Sequence, residues 1–216
     1  MANTDILEGK TIVALGDSLF HGNKDCQRGT WLEMLAERHH MTLYNYGQNG
    51  NTLALQSVEE QKRPPMCVRY AEMADGADYV VVMGGANDKR LHVPIGSDDS
   101  DDPTTFCGAL NVLISGLTAK YPKAKILFMT NYNRWPSKNK LGFSDIDYVE
   151  AMERVCRRYA LPCFNNYYNS GISFQNPAQL AWIDEGVVRG DAPNHHFSSE
   201  AYAWLMPKYE ALLAAL

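Results

Sequence analysis

The chain has 216 residues, 45 % of them hydrophobic and 21 % charged, with a formal net charge of −5. A domain of that length buries roughly 70 % of its unfolded surface and needs no staples, while the acidic balance argues against a nucleic-acid surface, which requires clustered basic side chains. Five cysteines, odd in number, scattered and without a C-x-x-C pair, suit reduced and mostly buried thiols in a reducing compartment.

The first element expected is a buried strand over residues 11–15, a short β-branched apolar run. It ends abruptly in Gly16-Asp17-Ser18, residues that favour a tight turn and a helix start. Trp31, Leu32, Met34 and Leu35 predict a helix, followed by a second strand over 42–46. The clearest strand spans 78–83, nearly continuous in apolar residues, as central parallel strands are. Phe106, Ala109, Leu110, Leu113, Ile114 and Leu117 repeat at helical spacing, with Asp102-Pro103 expected as N-cap and first helical residue. A fourth strand is expected over 125–129. The next helix carries Tyr148, Val149, Met152, Val155, Cys156 and Tyr159, and Ser144 with Asp147 resembles a capping box. A fifth strand is expected over 161–164, where Pro162 suits a strand start. The last helix starts at Ser198 or Ser199 and carries Tyr202, Leu205, Met206, Tyr209, Leu212 and Leu213, with a kink expected at Pro207. Strands alternating with helices predict an α/β fold, a parallel sheet with helices on both faces. No internal repeat and no long linker divides residues 1–216, which reads as one domain. The acidic run 97–102 lacks EF-hand spacing and is expected as an exposed solvated loop.

Three further segments fall at the same sheet edge as Ser18, where open α/β sheets bind ligands. Residues 45–52, Asn-Tyr-Gly-Gln-Asn-Gly-Asn-Thr, follow the second strand, and Gly84-Gly85-Ala86-Asn87-Asp88 follows the third. Acyl transfer from a serine needs hydrogen-bond donors aimed at a developing oxyanion. The N–H of Gly50, the amide of Asn87 and the N–H of Ser18 itself are the candidates. The segment 191–202 contains Asp191, His195 and His196 just ahead of the last helix. A serine nucleophile needs a base, and a histidine oriented by a carboxylate is the usual solution.

These four ordered blocks resemble the GDSL-type, or SGNH, hydrolase family over nearly the whole chain. The resemblance implies a three-layer α/β/α sandwich with a five-stranded parallel sheet of flavodoxin-like type. It also implies Ser18 as nucleophile, Ser18, Gly50 and Asn87 as oxyanion hole, and His196 as base. The fourth block departs from the family's Asp-x-x-His pattern, since Pro193 stands three residues before His196. Three arrangements remain open: two extra residues with Asp191 still orienting His196, His195 as base at a spacing of four, or a backbone carbonyl orienting His196. The implied activity is a serine hydrolase cleaving carboxylic esters through an acyl-enzyme, with no metal or organic cofactor.

The family includes esterases, lipases, thioesterases, lysophospholipases and carbohydrate deacetylases. Asn131, Tyr132 and Trp135 follow the fourth strand and are expected to bind substrate, with the aromatic rings stacking on a sugar. Without an amphipathic apolar lid that would suggest a lipid interface, the expectation is a short-chain acyl or O-acetyl ester, on carbohydrate. The alternatives are a lysophospholipase or thioesterase, and a non-catalytic binding module on the same fold. A nucleotide binder is disfavoured, because no Gly-x-Gly-x-x-Gly follows the first strand. The loop 89–102 could form a lid or an oligomer contact. Residues 1–5 show no signal-peptide pattern, and no apolar run reaches the ~18 residues of a membrane span, so a cytoplasmic location with no membrane partner is expected.

Overall fold

The computed structural model describes residues 5–22, 26, 28–56, 63–134, 136–183 and 196–216. Five strands form one all-parallel sheet in the order β2-β1-β3-β4-β5: β1 Thr11–Gly16, β2 Thr42–Gly47, β3 Tyr79–Met83, β4 Lys125–Met129 and β5 Cys163–Phe164. All five lie where the sequence predicts strands. β5 is shorter than expected, because Pro162 has no N–H to give the ladder; its carbonyl still accepts from Phe128.

Alternation along the strands divides the core. Ile12, Ala14, Tyr79, Val81, Leu127 and Met129 point to one face. There they meet α2 (Trp31–Arg38) and the last helix (Ser199–Ala214). Val13, Leu15, Val80, Val82, Ile126 and Phe128 point to the other. They meet α3 (Met66–Arg69), α5 (Phe106–Lys120) and α6 (Asp145–Arg158). Strands buried on both faces carry continuous apolar runs, and the three expected layers are present. The cysteines are free, and four of the five are buried.

Local signals place most helix ends. Thr30 and Glu33 close a capping box on α2, and Ser144 and Asp147 do so on α6, as predicted. Ser198 caps the last helix, which continues through Pro207. The start of α5 differs from the expectation. Asp102 and Pro103 lie in a turn, in which the Asp102 carboxylate accepts from the Thr104 N–H and its carbonyl from Thr105. Thr105 is the actual N-cap, accepting from Gly108. The acidic loop is tied down as well. Asp98 pairs with Arg154 at 2.8 Å, and Asn111 of α5 donates to the carbonyls of Asp98 and Ser100. Among the described residues, no helix is long and apolar enough to cross a membrane.

A buried polar chain fixes the last helix against the sheet. Tyr132 and Tyr209 share a hydrogen bond, the Tyr209 hydroxyl donates to the Asn166 side chain, and Asn166 donates to the Thr130 carbonyl.

Candidate active site

The C-terminal ends of β1, β2 and β3 converge on a cleft of about 620 Å³ lined by Ser18, Gly50, Asn87 and His196, among others. Ser18 opens α1 (Ser18–His21), a single helical turn too short to persist alone. Its N-cap is Asp17, whose carboxylate accepts the Leu19 N–H at 3.0 Å. The turn is also held from the side. Asn45, in β2, donates to the Phe20 carbonyl and to Glu33, and accepts the Gly47 N–H. Gly47 has to be glycine, because a Cβ there would fall 2.2 Å from the His21 nitrogen. Asn45 thus serves the scaffold of the nucleophile turn.

Gly50 sits in a turn closed by the Asn51 N–H on the Gln48 carbonyl, with φ at +74°, a backbone conformation open to glycine. Among the described residues, neither the amide N–H of Gly50 nor the amide and hydroxyl of Ser18 has a hydrogen-bond partner. Asn87 lies in α4 (Ala86–Arg90) and is buried. Its side-chain NH2 donates to the Asn51 carbonyl at 3.1 Å and, more weakly, to Asp17 at 3.4 Å. Its neighbour Asp88 is fully buried and accepts the N–H groups of Leu53 and Ala54, anchoring the chain that follows Gly50. Burial pushes the carboxyls of Asp17 and Asp88 each up to about 6, since removal from water disfavours the charged form. Sequence reasoning placed Asp17 at the helix start, as found, but missed the anchoring work of Asp88. The signal available was the position of Asp88, next to the predicted site residue Asn87.

His196 reaches the cleft from the far end of the chain. Phe197 pairs with Ile183 in an antiparallel bridge and packs edge-to-face on Tyr132 and Tyr202. The Tyr202 hydroxyl donates to the Leu19 carbonyl at 2.8 Å. The helix that follows His196 is therefore hydrogen-bonded to the residue that follows Ser18. Asp191 and His195 lie outside the described residues, and so does Trp135.

Two of the expected substrate contacts are elsewhere. Tyr132 is 1 % exposed, with its hydroxyl on Tyr209 and its ring on Phe197. It belongs to the core, because a partner 77 residues away in sequence claims its polar end. Asn131 is buried too and points at Asp145. Neither lines the cleft. Another part of the lining comes instead from Lys89, Arg90, Arg134, Ser137, Lys138, Asn139 and Asp145. Asp145, the first residue of α6, pairs with Lys89 at 3.3 Å and Arg134 at 2.7 Å. Lys89 also donates to Ser137.

Among the described residues, one trio of potential metal ligands, Asp5, Glu8 and His39, comes within 4.8 Å. Asp5 and Glu8 precede β1 and His39 precedes β2, so the trio sits at the sheet edge away from the cleft. Both ring nitrogens of His39 are already engaged, by Asp5 and by Glu210.

Two solved chains of 30 % and 26 % identity, the second from Lactobacillus plantarum, align with TM-scores of 0.85 and 0.82, covering 97 % and 96 % of this chain and 98 % of each of theirs. A carbohydrate acetylesterase from Sinorhizobium meliloti, 15 % identical, shares the fold with a TM-score of 0.66 over 95 % of this chain and 99 % of its own. No curated protein matches the sequence significantly. The profile of the GDSL-like Lipase/Acylhydrolase family matches residues 14–204. With the parallel sheet, the capped Gly-Asp-Ser turn and a histidine ahead of the last helix all in place, the chain belongs to that family of hydrolases.

Proposed function

We propose that the protein is a serine esterase in which Ser18 is the nucleophile and His196 the general base, acting on short-chain acyl or O-acetyl esters. The observation that carries this reading is the bond from Tyr202 to Leu19, which clamps the helix behind His196 to the turn bearing Ser18 at one cleft. Ser18 Oγ attacks the ester carbonyl carbon while the imidazole takes the hydroxyl proton. The carbon–oxygen bond to the alcohol breaks, and the alcohol leaves with that proton. Water then attacks the acyl carbon and gives its proton to the imidazole. The serine–acyl bond breaks, the proton returns to Ser18, and the acid departs.

The unpartnered N–H groups of Ser18 and Gly50 suit two positions of an oxyanion hole. The third is the Asn87 NH2, whose long contact to Asp17 is the one a substrate oxygen would replace. In this reading Asp191 orients the imidazole. Among the described lining residues only Leu19 and Ala86 have wholly apolar side chains, and the others, Gly50 apart, bring polar or charged ends. That supports a small acyl group and a polar alcohol. A carbohydrate ester, the substrate class of the S. meliloti relative, fits such a lining.

The test is labelling with a fluorophosphonate, followed by turnover of p-nitrophenyl esters of graded acyl length. Activated Ser18 reacts with the probe, and turnover falls with chain length. A wild-type protein that neither labels nor hydrolyses acetyl esters is a binding module, and the proposal fails.

A further inference from the structure

The cleft is more basic than the molecule that carries it. Four cationic side chains, Lys89, Arg90, Arg134 and Lys138, line it against two carboxylates, Asp17 and Asp145, in a chain of net charge −5. Two of these cations are sunk into the wall. The side chains of Lys89 and Arg134 are 10 % and 12 % exposed, and both lean on the single carboxylate of Asp145. Among the described residues no second carboxylate forms an ion pair with either cation; Asp17, whose charge Arg134 also favours, is occupied in capping the Ser18 turn. Arg134 Nε is buried and has no hydrogen-bond partner among the described residues. Guanidinium N–H groups are matched in geometry by the paired oxygens of a carboxylate or phosphate. Arg90 and Lys138 stand exposed at the rim, where they would draw an anion inward.

We infer that the Lys89–Asp145–Arg134 wall is an anion subsite, and that the ester this protein takes carries a carboxylate or phosphate close to its scissile bond. The inference rests on the esterase reading, since the subsite faces the same cleft as Ser18. A purely apolar acyl chain would leave two cations sharing one paired carboxylate and the Arg134 donor unused, whereas an oxyanion at this wall would give them a second partner.

The experiment has a kinetic arm and a binding arm. In the first, p-nitrophenyl hemisuccinate is compared with p-nitrophenyl butyrate, which places the charge on the acyl side. The acetate ester of 4-hydroxyphenyl phosphate is compared with phenyl acetate, which places it on the alcohol side. In one of the two pairs, the anionic ester is expected to show at least tenfold higher kcat/KM at low ionic strength, falling as salt is raised while the neutral ester stays level. Arg134→Gln and the exposed Lys138→Ala are expected to erase most of that preference while neutral-ester turnover persists, which also reports an intact fold. In the second arm, calorimetric titration of Ser18→Ala with the same four esters reads recognition without chemistry, and the anionic member of one pair should bind about tenfold tighter. Equal kcat/KM within both pairs together with equal affinities would overturn the subsite and leave the esterase standing. Tighter anion binding by a wild-type protein that turns over none of the esters would sink the esterase reading and keep the subsite.

Discussion

The two walls of the cleft are built by different means. On the Ser18 side, positions are set by backbone: strand ends in fixed parallel register, an Asp17 cap, the Asp88 carboxylate gripping two amides, and a glycine at 47 pressed on the backbone of α1. On the Arg134 side, positions are set by long side chains meeting at one carboxylate, with Lys89 from α4, Arg134 from the loop after β4 and Asp145 from the start of α6. Reacting groups tolerate little displacement, and backbone-held groups supply that precision. Charge recognition acts over several ångströms and can rest on flexible stems.

Substitutions sharpen this contrast. Ser18→Ala should lower kcat by about 10⁴–10⁶, and His196→Ala comparably, in an acetyl-ester assay with melting temperature as the folding control. If His195→Ala gives the large loss and His196→Ala does not, the base is the other histidine. Asp191→Ala should cost on the order of 10³–10⁴ if its carboxylate orients the imidazole, whereas a backbone-oriented ring would leave turnover within a few-fold. Asn87→Ala should cost about 10²–10³ in kcat; little change would remove it from the oxyanion hole.

Asp88→Asn tests the backbone-held wall through pH. The folded-state carboxyl is pushed up to about 6 by burial, above its ordinary 3.8. Its contribution to stability is therefore full below pH ~4 and lost as pH rises through 6. Denaturant unfolding should show the wild type gaining on the asparagine variant by up to ~3 kcal/mol between pH 7 and pH 4. A pH-independent difference would mean that Asp88 does not titrate in this range. The smallest effect belongs to Tyr132→Phe, which removes one buried hydroxyl. It should cost about 1 kcal/mol in stability with ester turnover unchanged. A raised KM with unchanged stability would return Tyr132 to the substrate.

Much of this was legible in the sequence, for identifiable reasons. Val80, Val81 and Val82 announce a central strand because both faces of β3 are buried. Ser144 and Asp147 announce α6 because a capping box is local chemistry. Gly-Asp-Ser was readable because a strand, a turn and a cap are each short-range signals. The Arg134 wall was not, since nothing local says that Asp145 meets Lys89, 56 positions earlier. Tyr132 misled for the same reason: an aromatic loop beside asparagines reads as a sugar platform until Tyr209 arrives from the last helix. At Asp102-Pro103 two good start signals were present, and the helix began at the next capping residue.

The buried run of hydroxyl and amide groups from Tyr132 through Tyr209 to Asn166 constrains how such a molecule can change its length. An α-helix turns by about 100° per residue. Sliding the last helix by one position would swing Tyr209 away and orphan polar atoms in an apolar interior, at about 1–3 kcal/mol each. Insertions near the base are therefore best absorbed ahead of Phe197, whose pairing with Ile183 holds the two ends of that connection together. The five-residue step from Asp191 to His196 is compatible with an imidazole carrier that has not moved.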